Sequence, residues 1–135
     1  MKAIVTTLLF AIIGTNLLSQ EWVNYYSNEQ ISVKTAVFNY ESTTDGILHE
    51  RIIFQYTNLT SENLILSFQR NVSYSVDQSF SGNDTAFSIS IPANGSVEYN
   101  HENNKNKAFY IFKSDLKGSI KRSLTNFELS NFQIN

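Results

Sequence analysis

From residue 30 onward, apolar side chains recur at every second position through most of the chain, a spacing that predicts half-buried β-strands. Ile31, Val33 and Val37 fall on one face of the first such stretch, with Ser32 and Lys34 opposite. Ile52, Phe54 and Tyr56 share a face in the next, and Leu64, Leu66 and Phe68 in the one after. The short polar segment Asn58–Asn63 between these two stretches predicts a hairpin. Val72–Val76 is a weaker alternating segment, and Phe87–Ile91 a clean one, stopped by Pro92-Ala93-Asn94-Gly95. Proline cannot donate to a ladder, and Asn-Gly favours a tight reversal.

Later in the chain the pattern changes twice. Ala108-Phe109-Tyr110-Ile111-Phe112 is apolar on both parities and predicts a central strand covered on both sides. Phe127 and Leu129 sit on one parity and Phe132 and Ile134 on the other. A β-bulge near Asn131 would return all four to one face; two separate short strands are the alternative. Glu21–Tyr26 reads as a first edge strand, and Ser96–Asn100 as a short one. Loops are expected around Asp45-Gly46, Gly82-Asn83 and His101–Asn106. No segment of ten or more residues carries a helical period. Seven or eight short strands then require two sheets, because each alternating strand offers one apolar face.

The start of the chain follows a different rule. Lys2 precedes an apolar run from Ala3 to Ile13, and Gly14 to Gln20 returns to small and polar residues. A positive start, about ten apolar residues and a small residue at the boundary describe a secretory signal peptide. The run falls short of the roughly 20 residues a bilayer-spanning helix needs. Cleavage after Ser19 is expected, giving a leader over 1–19 and one domain over 20–135, with no transmembrane segment in the mature chain.

Composition adds boundaries to this picture. Ten Phe, seven Tyr and one Trp beside a single Pro suit strands better than a helical bundle. The absence of Cys removes disulfides, thiolate metal sites, a Cys nucleophile and a lipid-anchored lipoprotein terminus. Residues 21–102 set Lys34, Arg51 and Arg70 against ten acids, whereas residues 103–135 set six basic residues against Asp115 and Glu128. The late basic residues are spaced out, as on soluble strands and loops that resist edge pairing. They form no dense nucleic-acid-binding run.

Candidate chemistry is sparse. The two histidines, in His49-Glu50 and His101-Glu102, lack H-E-x-x-H spacing, and neighbouring residues of a strand point to opposite faces. No G-x-S-x-G, G-x-G-x-x-G or P-loop is present. Four N-x-S/T triplets, beginning at Asn58, Asn71, Asn83 and Asn94, fit chance in an Asn-, Ser- and Thr-rich chain. Trp22, Tyr25 and Tyr26, beside Asn24, are the candidate ligand-binding residues, since aromatic faces with polar tips stack on sugar rings. The other reading makes them a plug closing one end of the core.

The leader ending Leu18-Ser19-Gln20, the Trp22-x-x-Tyr25-Tyr26-Ser27 opening and the Gly46-x-x-x-Glu50-x-x-x-Phe54-x-x-x-Asn58-Leu59-Thr60 stretch form a recognisable set. With Ile91-Pro92-x-x-Gly95-Ser96 and Phe127–Phe132, it resembles small exported proteins of Bacteroidetes (Flavobacterium-like) genomes. The resemblance implies an immunoglobulin-like fold and carries no activity and no site residue. Members often have Cys in the middle loops, and this chain has none.

The expectation is therefore an exported, all-β, immunoglobulin-like antiparallel sandwich. It is expected to be a non-enzymatic binding module of the cell envelope or extracellular space, with a protein or glycan partner and no cofactor, metal or nucleic acid. A carbohydrate-binding module using Trp22, Tyr25 and Tyr26 is the alternative. A hydrolase or metal protein using the histidines stands third.

Overall fold

The computed structural model describes residues 21–75, 82–116 and 122–135; the leader expected over 1–19 lies outside them. The described residues contain eight strands, no helix, and hence no helix long and apolar enough to cross a membrane. One antiparallel sheet holds β1 (Val23–Ser27), β2 (Ile31–Ser42), β3 (Ile47–Asn58), β6 (Ser96–Glu98) and β7 (Tyr110–Asp115). A second holds β4 (Leu64–Tyr74), β5 (Gly82–Ile91) and β8 (Leu124–Ile134). The first runs β1-β2-β3, with β6 and β7 end to end along the far edge of β3. The second runs β5-β4-β8.

Period-two alternation decides what lies between the sheets. Ile31 and Val33 of β2, Phe54 and Tyr56 of β3, and Leu66 and Phe68 of β4 are all buried there. Phe68 stacks on Tyr56 at 5.7 Å and on Phe87 at 5.6 Å, so the aromatic rings continue from one sheet into the other. Full burial of each such side chain contributes about 1.5–3 kcal/mol. The result is a sandwich-like all-β fold with its core at the Ile31–Asn58 end of the first sheet.

Several sequence expectations are corrected. The segments around Asn58–Asn63 do not form a hairpin: β3 and β4 belong to different sheets. The turn crosses over because Asn58, 1% exposed, donates to the carbonyls of Glu62, Ile91 and Pro92 and accepts from the Thr60 amide and hydroxyl. That side chain fastens the crossover to the far end of β5. The consecutive strands that do pair antiparallel are β1–β2, β2–β3, turning at Gly46 with φ 67°, and β4–β5.

Val37 does share the face of Ile31 and Val33, yet it is half exposed, while its neighbour Ala36 is buried on the opposite face. Ala108–Phe112 is not a central strand: among the described strands β7 pairs with β3 alone, beyond an isolated bridge from Ser114 to Ser123. It is apolar on both parities because both faces of that edge are covered. The ladder of β5 begins at Gly82, paired with Val72, so Gly82-Asn83 is strand rather than loop tip. The last strand is continuous, and its phase change is a bulge. Gln69 pairs with Ser130 and Ser67 with Gln133, leaving an extra residue beside Asn131, whose φ is 55°.

Candidate functional site

The outward face of the first sheet carries an arrangement with site-like chemistry. Ala36, Phe38 and Tyr40 of β2 stand opposite Ile53, Arg51 and His49 of β3 on this face. Between β6 and β7 the chain leaves the sheet edge and returns to it at a single residue. The Tyr99 amide donates to the Phe54 carbonyl at 3.1 Å, and the Phe54 amide donates to the Phe109 carbonyl at 3.0 Å. The intervening loop folds over the sheet face as a wall.

Asparagine side chains fix the shape of that loop. Asn100 Oδ1 accepts from the amides of Glu102 and Asn103, Asn103 Oδ1 accepts from the Asn100 amide, and Asn106 Oδ1 accepts from the Ala108 amide. Short polar side chains that bond nearby amides replace the ladder the segment has left. Its carbonyls are then met from the body of the protein. Arg51 Nη1 donates to Asn104 at 2.7 Å, Arg70 Nη1 to Lys107 and Tyr110, and the Tyr56 hydroxyl to Ala108. Two buried arginines and a buried tyrosine thus satisfy backbone acceptors that would otherwise be left unpaired.

Arg51 is the centre of this construction. Its guanidinium lies 3.8 Å from the ring centroids of both Tyr40 and Tyr110. Nη1 also donates to the Tyr99 hydroxyl at 3.1 Å, and Nε donates to His49 Nε2 at 3.0 Å. No carboxylate pairs with it among the described residues; the ion pair Lys113–Glu50 lies on the other parity of the strands. A buried cation is held here by ring faces and neutral acceptors, each ring contributing about 0.5–2 kcal/mol. Burial and the Arg51 charge hold His49 below its usual pKa, with Asp115 opposing them. Burial raises the Tyr99 pKa, against the nearby Arg51. Tyr56, enclosed in the core, is raised further.

Between this wall and Trp22, the residue before β1, lies a cleft of about 490 Å³, within the range of small-ligand sites. Phe38 and Ile53 form its floor, and Trp22 stands at the β1 side. Tyr99, Asn100, His101 and Asn104 face it from the loop, and the Phe38 and Tyr99 rings meet at 5.3 Å. Glu98 borders the cleft with its Oε1 taken by Gln55 at 2.7 Å. Aromatic surface for a ring face, bordered by amides and a carboxylate for hydroxyls, suits a polar ring-shaped ligand.

The three sequence-designated aromatics are not brought together. Tyr25 is the extra residue of a bulge in β1, because Asn24 pairs with Lys34 and Tyr26 with Val33. Both tyrosines therefore turn toward the core, where Tyr25 stacks on Phe127 at 5.4 Å and Tyr26 on Phe132 at 4.5 Å. The Tyr25 hydroxyl also accepts from the Leu129 amide at 2.9 Å. Trp22 alone reaches the cleft. His49 and His101 lie apart in role, one behind the wall and one in it, and no three metal-ligating side chains cluster among the described residues. Phe38, Tyr40, Tyr99 and Arg51 were not singled out by the sequence. The available signal was the aromatic run on the even positions of β2, which alternation alone assigns to solvent. No family model, curated protein or solved structure matches the chain.

Proposed function

We propose that this is an exported, non-enzymatic binding module with an immunoglobulin-like sandwich, and that its cleft holds a glycan of the cell envelope or surroundings. The observation carrying the glycan reading is the meeting of Trp22, just before β1, with Tyr99 and Asn104, from the loop, across a floor of Phe38. The loop is held by its own asparagines and by three buried side chains, so little ordering cost remains at binding. Export rests on the leader over 1–19. The immunoglobulin-like reading is supported by the strand exchange in which β3 pairs β6 and β7 while β4 pairs β8, a Greek-key pattern across two sheets.

A glycan array probed with the wild type and Trp22→Ala tests the binding reading. Wild type is expected to bind a defined glycan set, and the variant to bind about 30-fold more weakly, as for loss of a central aromatic contact of about 2 kcal/mol. Equal binding by the two proteins, or no binding by folded wild type, would reject it. Mass spectrometry of protein recovered outside the cytoplasm checks the cut after Ser19.

A further inference from the structure

We propose that His49 and Arg51 form a proton-sensitive latch that holds the loop wall of the cleft in place when His49 is neutral and loosens it when His49 is protonated. The argument starts from donors and acceptors. Arginine has no acceptor, so the 3.0 Å contact from Arg51 Nε requires an unprotonated Nε2 on His49. The same guanidinium donates through Nη1 to the Tyr99 hydroxyl and the Asn104 carbonyl, from two residues that line the cleft. A proton on His49 Nε2 turns that acceptor into a donor and sets two cations against each other at hydrogen-bond distance. Arg51 then has to move, and its contacts to the wall move with it.

The surroundings of His49 set the strength of the effect. On β2, Tyr40 stacks on the imidazole at 5.1 Å. On β7, Phe112 approaches at 5.0 Å and Asp115 is its register partner, the one charge that favours the protonated form. On β3 itself Arg51 opposes protonation, and Glu50, on the other parity, is occupied by Lys113 and Ser114. Tyr99 and Tyr110 complete the ring of groups around the guanidinium. The latch concerns the cleft wall whatever ligand the cleft takes.

Trp22, the single tryptophan, lines the cleft and gives a readout that needs no ligand. Its emission is followed from pH 7.5 to 5.0 in the wild type, His49→Gln and His101→Gln, with far-ultraviolet circular dichroism checking that the sheets persist. Glutamine at 49 keeps an acceptor for Arg51 and cannot titrate. His101→Gln removes the other imidazole, which lines the cleft and quenches indole when protonated. The expected result is an emission change in the wild type and in His101→Gln, lost in His49→Gln. A flat wild-type profile, or a change that survives His49→Gln, overturns the proposal. Should His49→Gln fail to fold, wild-type NMR decides. The amides of Tyr99 and Asn104 must then follow the same titration curve as the His49 ring protons, and a different midpoint overturns the latch.

Discussion

The Arg51 guanidinium and the Asn104 carbonyl, 2.7 Å apart, join β3 to the wall of the cleft across more than fifty residues of sequence. The bond is one of four functions served by one side chain, with the Tyr40–Tyr110 stack, the Tyr99 hydroxyl and His49. Lysine retains the charge but not the plane or the fork of donors. Arg51→Lys is therefore expected to cost about 2–3 kcal/mol, a fall in Tm on the order of 10 °C. Calorimetry checks the value. A fall below about 2 °C would mean that the stack and fork contribute little.

Tyr56 and Tyr25 separate a hydroxyl inside the core from one at its margin. Tyr56→Phe leaves the Ala108 carbonyl without its donor in a buried site and should cost about 1–3 kcal/mol. Tyr25→Phe removes a half-buried acceptor from the Leu129 amide, keeps the stack on Phe127, and should cost about 1 kcal/mol or less. Urea unfolding of the two variants gives the order. Because Tyr25 lies on the core side of β1, its variant should also retain ligand binding that Trp22→Ala loses.

The strands were legible and their partners only partly so. Alternation located Ile31, Val33, Phe54, Tyr56, Leu66 and Phe68 as core positions, because a strand with one buried face leaves that mark directly. The parity break at Phe132 left a bulge or two short strands open, and the chain takes the bulge. Pairing was harder to read, since a polar turn such as Asn58–Asn63 serves a hairpin or a crossover equally well. The outcome was set by the bonds Asn58 makes to residues more than thirty positions away. The cleft was hidden for a related reason. Its floor, Phe38 and Ile53, lies on the parity assigned to solvent, and only the folding-back of the loop makes that face concave.

Asn58 offers a direct test of the crossover. Asn58→Ala removes three donor and two acceptor contacts and is expected to cost about 3 kcal/mol, at the upper end for single changes. Asn58→Asp is expected to be worse at neutral pH, because a carboxylate would face the carbonyls of Glu62, Ile91 and Pro92 with nothing to donate. Its deficit should shrink as pH falls and the carboxyl gains a proton. Denaturant midpoints at pH 7 and pH 5 distinguish the two variants; Asp equal to or better than Ala at pH 7 would contradict the assigned bonds.

Stability itself should carry the signature of His49. Burial and Arg51 lower its pKa in the folded chain below the ordinary 6.5, Asp115 opposing, so between the two values the unfolded chain binds more protons. This contribution is complete above about pH 6.5 and is lost progressively as pH falls toward the folded-state value. The wild type should therefore lose more stability than His49→Gln between pH 7.5 and 5.0, the carboxylates common to both cancelling in the comparison. Asp115→Asn removes the one charge that supports protonation and should enlarge the wild-type loss. Urea unfolding of the three proteins at both pH values tests the sign. A pH loss in His49→Gln as large as that of the wild type would show that this imidazole is not depressed in the folded chain, and a smaller loss in Asp115→Asn would remove Asp115 from its field.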